Sequence, residues 1–209
     1  MKRADRADPG RLQERRQRIA YEAARLIARH GLQDYQQAKR KAAQQLGFLD
    51  DASLPGNAEV LAQLRDYQRL FQADEQPRQL RLLRQAAVPA MQFLERFDPR
   101  LVGRVLDGSA DAHSPIALQV FCDDVEDFAR FLHDARLPAT ARPEQRLRLD
   151  REQAGMFPAW SVVVDGLPFE ITVLPSPMLR QPPLSPVDHK PMARATLAAL
   201  RKLLADESA

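Results

Sequence analysis

Asp165-Gly166, set between Trp160-Ser161-Val162-Val163-Val164 and the run from Leu167 to Leu174, constrains this chain more than any other feature. Both central residues tolerate positive φ and the flanking runs are rich in β-branched side chains, so the sequence predicts an antiparallel hairpin. Further strands are legible upstream. Leu101, Val102, Val105 and Leu106 form a short apolar run that closes on Asp107-Gly108-Ser109, which predicts a strand over 101–106 ended by glycine. Ile116 to Phe121 reads as a second strand, too apolar for an open surface. Asp123 with Glu126 resembles a capping box, and Val125, Phe128, Phe131 and Leu132 recur behind it at helical spacing, predicting a helix over 124–135. The stretch 101–126 is therefore β-β-α. Arg146 to Asp150 alternates charged with apolar, as a half-exposed edge strand does.

The chain before Asp98-Pro99 reads as four helices. The first covers 11–30, with Ile19, Ala23, Leu26, Ile27 and His30 on one face and Gly31 as its stop. The second runs over 34–46, with Tyr35, Ala38, Ala42 and Leu46 inward and Lys39, Arg40 and Lys41 on the other face. Asn57 is expected to cap the third, whose inner face holds Val60, Leu64, Tyr67 and Phe71. The fourth extends from Pro77 towards Phe97 through Leu80, Leu83, Ala87, Ala90, Met91 and Leu94, with Pro89 bending it. The expected organisation is thus α+β: a helical region over 1–98, then a mixed-sheet core with flanking helices over 99–209. Six prolines between 175 and 191 bar regular helix or central strand there, leaving a wrapping segment or an arm, and a last helix is expected over 191–205.

Composition narrows the function classes. A hydrophobic fraction of 44% without a long apolar run excludes a membrane-spanning helix and fits a globular chain. The charged amino terminus lacks a secretory apolar core and a single cysteine, Cys122, allows no intramolecular disulfide, so a cytoplasmic location is expected. The net charge of +3 is uneven, because residues 1–50 carry 12 Lys+Arg against 6 Asp+Glu. Lys39, Arg40 and Lys41 are the candidate basic surface for phosphate or nucleic acid, with a plain solvated helix face as the alternative. No Walker loop, paired-cysteine zinc pattern or nucleophile elbow occurs, so neither metal nor cofactor is implied.

The order of elements from Leu101 to Leu174 resembles the polymerase-beta-type nucleotidyltransferase superfamily. Members carry Gly-Ser at the end of the first core strand, here Gly108-Ser109. Two carboxylates one residue apart follow on the next strand and a third on a later strand; together they hold the divalent metals of the reaction. In this chain the paired positions align with Pro115 and Ala117, neither a metal ligand, and the third with Glu170. The resemblance implies a catalytically impaired or inactive member with a binding or regulatory role. Its ligand contacts would be Gly108, Ser109 and Glu170, with Glu170 towards the side of Ser109, and its partner a nucleotide, a nucleic acid or a protein. Two other readings stand beside it. Asp107, Asp111 or His113 substitutes for the missing acids in an active enzyme, or the chain is an α+β interaction module with no nucleotide role.

Overall fold

The structure, a computed structural model, describes residues 9–48 and 53–207. The chain is α+β and divides by its internal contacts into two compact units, Met1–Ala73 and Asp74–Ala209.

The first unit contains α1 (Pro9–His30), α2 (Tyr35–Gln45) and α3 (Asn57–Phe71), with α1 packed against both of the others. Alanine dominates the buried face: Ala20, Ala23, Ala24 and Ala28 of α1 meet a set that includes Ala38, Ala42 and Ala43 of α2. Small side chains let helices approach closely, and Ile19, Ile27, Val60 and Leu64 fill the remaining space. Asp34 caps α2 by accepting from Gln36 N at 2.7 Å. At α3 the N-cap is Gly56 rather than Asn57, and Glu59 closes the turn by accepting from Gly56 N at 2.6 Å. Phe71, expected inward, is exposed because it lies in the last turn of α3, and His30, in the last turn of α1, is exposed as well.

The second unit begins with α4 (Glu75–Phe93), expected to belong to the helical region 1–98. Its apolar face, Leu80, Leu83, Ala87 and Met91, joins the core of the sheet, so contacts place the division at 73/74. The sheet has the order β1-β2-β5-β4-β3, where β1 is Arg100–Val102, β2 Ile116–Phe121, β3 Thr140–Arg148, β4 Ala154–Val164 and β5 Leu167–Leu174. Pairing of β2 with β5 is parallel and every other pairing is antiparallel. The β4–β5 hairpin turns at Asp165 (φ 52) and Gly166 (φ 79), the doubly positive geometry that the Asp-Gly pair favours. Asp124, not Asp123, caps α6 (Val125–Asp134), and Asp123 instead accepts from Ser176 N at 2.8 Å.

Only the first half of the expected strand 101–106 is extended. Gly103 takes φ +69, and Gly103–Asp107 forms the short helix α5; the spacing of Leu101, Val102, Val105 and Leu106 suits a helix as well as a strand. β3 and β4 start six residues earlier than expected, each extension holding a proline, Pro143 near the bulge of the edge strand and Pro158 in β4.

Strand alternation gives the sheet two different faces. Ile116, Leu118, Val120, Phe169, Ile171, Val173 and Val162 point to the helical side, where α4, α6 and α7 (Leu197–Asp206) cover them. The second face carries Ala117, Gln119, Phe121, Glu170, Thr172 and Leu174. Across it runs the proline-rich segment. Leu184 N donates to Arg148 O at 2.7 Å on edge strand β3, and Leu101 and Ala195 exchange two 2.9 Å hydrogen bonds beside β1 at the other edge. The last helix starts at 197 and not 191, because the residues before it are used in this strap.

Candidate functional site

The second face divides into an apolar half and a polar half. Phe121, Leu147, Phe157 and Leu174 form the apolar half and are covered by Met178 and Leu179 of the strap. Beside them, paired rows place Gln119 next to Thr172, and Ala117 next to Glu170 with Ser161 beyond. Gln145 and Arg142 of β3 complete this half, since Thr172 Oγ1 donates to Gln145 Oε1 and Arg142 pairs with Glu170. That ion pair is open to water, its side chains 48% and 39% exposed, so it is worth under about 1 kcal/mol and can exchange for a ligand's charge.

On the β1 side two arginines, Arg100 and Arg194, lie close enough to repel each other, and neither is paired with a carboxylate among the described residues. Arg100 lies opposite Gln119, and its NH1 donates to the carbonyls of Asp98 and Pro99. Arg194 comes from the strap, lies 5.1 Å over the Phe121 ring and donates through NH1 to Met178 O at 2.7 Å. Its Nε and NH2 are buried without a hydrogen-bond partner among the described residues. Burial, with repulsion from Arg100 added, brings the Arg194 pKa down to about 10, so the group remains a cation at neutral pH. Gln119 is 2% exposed; its Oε1 has no partner there either, and its Nε2 meets only Met192 Sδ at 3.3 Å.

The residues expected to act together are separated by this arrangement. Gly108 (φ +89) ends α5, and its carbonyl and that of Ala110 accept from Gln76 Nε2 at 2.9 and 2.8 Å. A Cβ at Gly108 would point at Arg84 and Leu80 of α4. Ser109 is wholly buried, its N bonded to Asp107 Oδ1 at 2.9 Å. This turn therefore belongs to the helical side, whereas Glu170 stands on the second face, and the expectation that they share a side is corrected. The turn that does approach the second face is at the other end of α5, where a Cβ on Gly103 would lie 3.7 Å from Ala117 Cβ.

Lys39 is 5% exposed on the buried side of α2, its Nζ donating to Pro55 O at 3.0 Å, and burial pushes its pKa down. The basic surface is thus reduced to Arg40 and Lys41, which are exposed. Lys39 lies next to Ala38 and one turn before Ala42 and Ala43, a position that helical geometry turns inward. Of the other acids considered, Asp111 is buried and accepts from Ser114 Oγ and His113 N, both at 2.9 Å, in a self-contained turn.

Arg100, Arg142, Arg194 and Gln119 were not singled out by the sequence. Arg194 lay in an expected helix and Arg142 before the expected start of its strand, so no local pattern marked them. Among the described residues no group of three or more His, Cys, Asp or Glu side chains is placed to hold a metal ion. None of their helices is long and apolar enough to cross a membrane.

Comparison with protein-family models, curated proteins and solved structures returns no match for this chain.

Proposed function

We propose that this protein is a nucleotidyltransferase-like binding protein without transfer chemistry, taking a phosphate-bearing ligand on the polar half of the second sheet face. The observation that carries the reading is the parallel pairing of β2 with β5, which sets Ala117 beside Glu170 while Gly103, just after β1, lies against Ala117. The superfamily places Gly-Ser at the end of the first strand, paired acids on the second and a third acid on a later strand; here Gly103, followed by Arg104 rather than serine, stands at the end of the first strand and Glu170 on the later one. Of the β2 positions that face the same way as Glu170, the two nearest to it are Ala117 and Gln119. Neither supplies a carboxylate, so two metals would have Glu170 alone, too few ligands for that chemistry.

What remains suits binding. Arg194, Arg100 and Arg142 provide cationic donors around a floor whose one carboxylate, Glu170, is paired with Arg142, and guanidinium groups match phosphate oxygens in geometry and charge. The ligand would draw Arg142 from Glu170 and take up the donors of Arg194.

The test is a thermal-shift series of the purified protein with each nucleoside triphosphate, with and without magnesium or manganese. Stabilisation that does not depend on metal, and that is reduced by Arg194→Met, is the expected result. Stabilisation that requires metal would replace this reading with an active enzyme. Absence of a shift with every nucleotide at millimolar concentration would remove the nucleotide from the proposal.

A further inference from the structure

On the helical side of the sheet, away from the polar face, α4 leaves a half-enclosed cavity of about 270 Å³. Ala86 and Ala90 form its helical wall, Leu132 its far wall, Phe169 its floor, and Phe93 with Val164 its rim. Native interiors rarely keep voids larger than a water molecule, so a space of this size lined by carbon needs a physical reason. Two are visible. Ala86 and Ala90, which face it from α4, are small, and Pro89, within the lining, interrupts the hydrogen bonding of the helix at that level. At the rim, Phe93 is 44% and Val164 38% exposed, large apolar side chains held in water beside the opening.

The lining contains one charged residue, Asp165, at the first position of the β4–β5 turn. Asp165 is exposed at the hairpin end of the lining, and no cation is among the lining residues. The volume decides the size of occupant: it is nearly twice the roughly 150 Å³ that holds benzene and below the roughly 300–1,000 Å³ of sites for drug-sized ligands. The charge decides the sign. A fatty acid or other apolar anion would bring its carboxylate towards Asp165, whereas a cation or hydrogen-bond donor would find an acceptor there.

We infer that this cavity is a binding site for a small apolar amine, with its ring or alkyl body between α4 and the sheet and its ammonium at Asp165. The site is separate from the polar face and does not depend on nucleotide binding there. Bound ligand would cover the exposed edges of Phe93 and Val164 and fill the gap left by Ala86 and Ala90, so it would stabilise the second unit by mass action.

The experiment uses three probes of one shape and different charge, namely tryptamine, indole and indole-3-acetate, titrated into the full chain by isothermal calorimetry. Tryptamine is expected to bind most tightly, about tenfold above indole-3-acetate, with indole between them. Asp165→Asn, which keeps a residue tolerant of positive φ, should bring the three together. Ala90→Leu should abolish binding of all three by filling the space while the protein keeps its folded circular-dichroism spectrum, and Ala86→Leu serves the same purpose if that variant does not fold. No heat with any probe at millimolar concentration overturns the inference, as does equal binding to the Ala90→Leu or Ala86→Leu protein. Preference for indole-3-acetate overturns the assignment of charge. Concentration-dependent dimerisation lost in the cavity-filling variants would give the opening to a second copy of the chain and overturn the ligand reading as well.

Discussion

Arg84 should be the single most costly charged residue to remove from the second unit. It is 5% exposed and links three elements. Nε donates to Val105 O at 2.9 Å and NH2 to Leu106 O at 3.0 Å, both in α5, while NH1 pairs with the carboxylate of Glu207 just after α7. Replacing Arg84 with Ala removes two hydrogen bonds from a charged donor, each worth about 1.5–3 kcal/mol, and strands the carbonyl of the fully buried Val105. The ion pair adds less, about 1 kcal/mol, because the Glu207 side chain is 29% exposed and water can hydrate its carboxylate once the arginine is gone. Relief of the buried guanidinium's own desolvation offsets part of the total, leaving a loss of about 3–5 kcal/mol, against about 1 kcal/mol for Glu207→Gln. Urea unfolding followed by fluorescence reads this unit selectively, since the sole tryptophan, Trp160, lies 5.3 Å from Phe128 in its core. A loss below about 1 kcal/mol for Arg84→Ala, or equal losses for the two variants, would refute the view that the backbone carbonyls carry the effect.

Other substitutions test single features. Gly108→Ala should cost about 1–2 kcal/mol by urea unfolding through its φ of +89 alone, since the nearest atom to the new Cβ is 3.8 Å away, and it should leave any nucleotide shift unchanged. Gly155→Ala should cost about 1–3 kcal/mol for a different reason, because its Cβ would fall 2.7 Å from the Phe157 ring; a neutral result would mean the ring moves freely. Burial lowers the pKa of Lys39, so between its folded value and the ordinary 10.5 the unfolded chain holds more protons and stability rises with pH; helix unfolding by circular dichroism should show that rise, and Lys39→Met should flatten it. Asp123 is held below the usual 3.8 by the Ser176 N–H, so its contribution is present above that value and lost as pH falls through the lower folded value; Asp123→Asn should remove this part of the acid dependence.

Local signals carried the elements whose cause is local. The helices α1 to α4 were legible in apolar spacing, and the hairpin at Asp165-Gly166 in two residues that accept positive φ, because both depend on neighbours within a few positions. Boundaries were lost where two patterns overlap, as at Leu101–Leu106, whose spacing serves a strand and a short helix alike, and where Pro143 and Pro158 sit inside strands that partners stabilise.

The sequence by itself determined the α+β class, the interior faces of α1 and α4, the apolar strand β2, and the absence of acids at 115 and 117. Only tertiary structure decided which residues meet. Parallel pairing of β2 with β5 put Ala117 beside Glu170, and the strap brought Arg194 over Phe121 next to Arg100, across chain separations that no local pattern spans. Burial was decided there too: Ser109 went to the helical side and Lys39 inside the first unit, because the face a residue presents depends on the backbone and on what packs against it. The candidate site is made by the pairing of distant strands and a returning strap, contacts that exist only in the folded chain, which is why its arginines could not be read along the sequence.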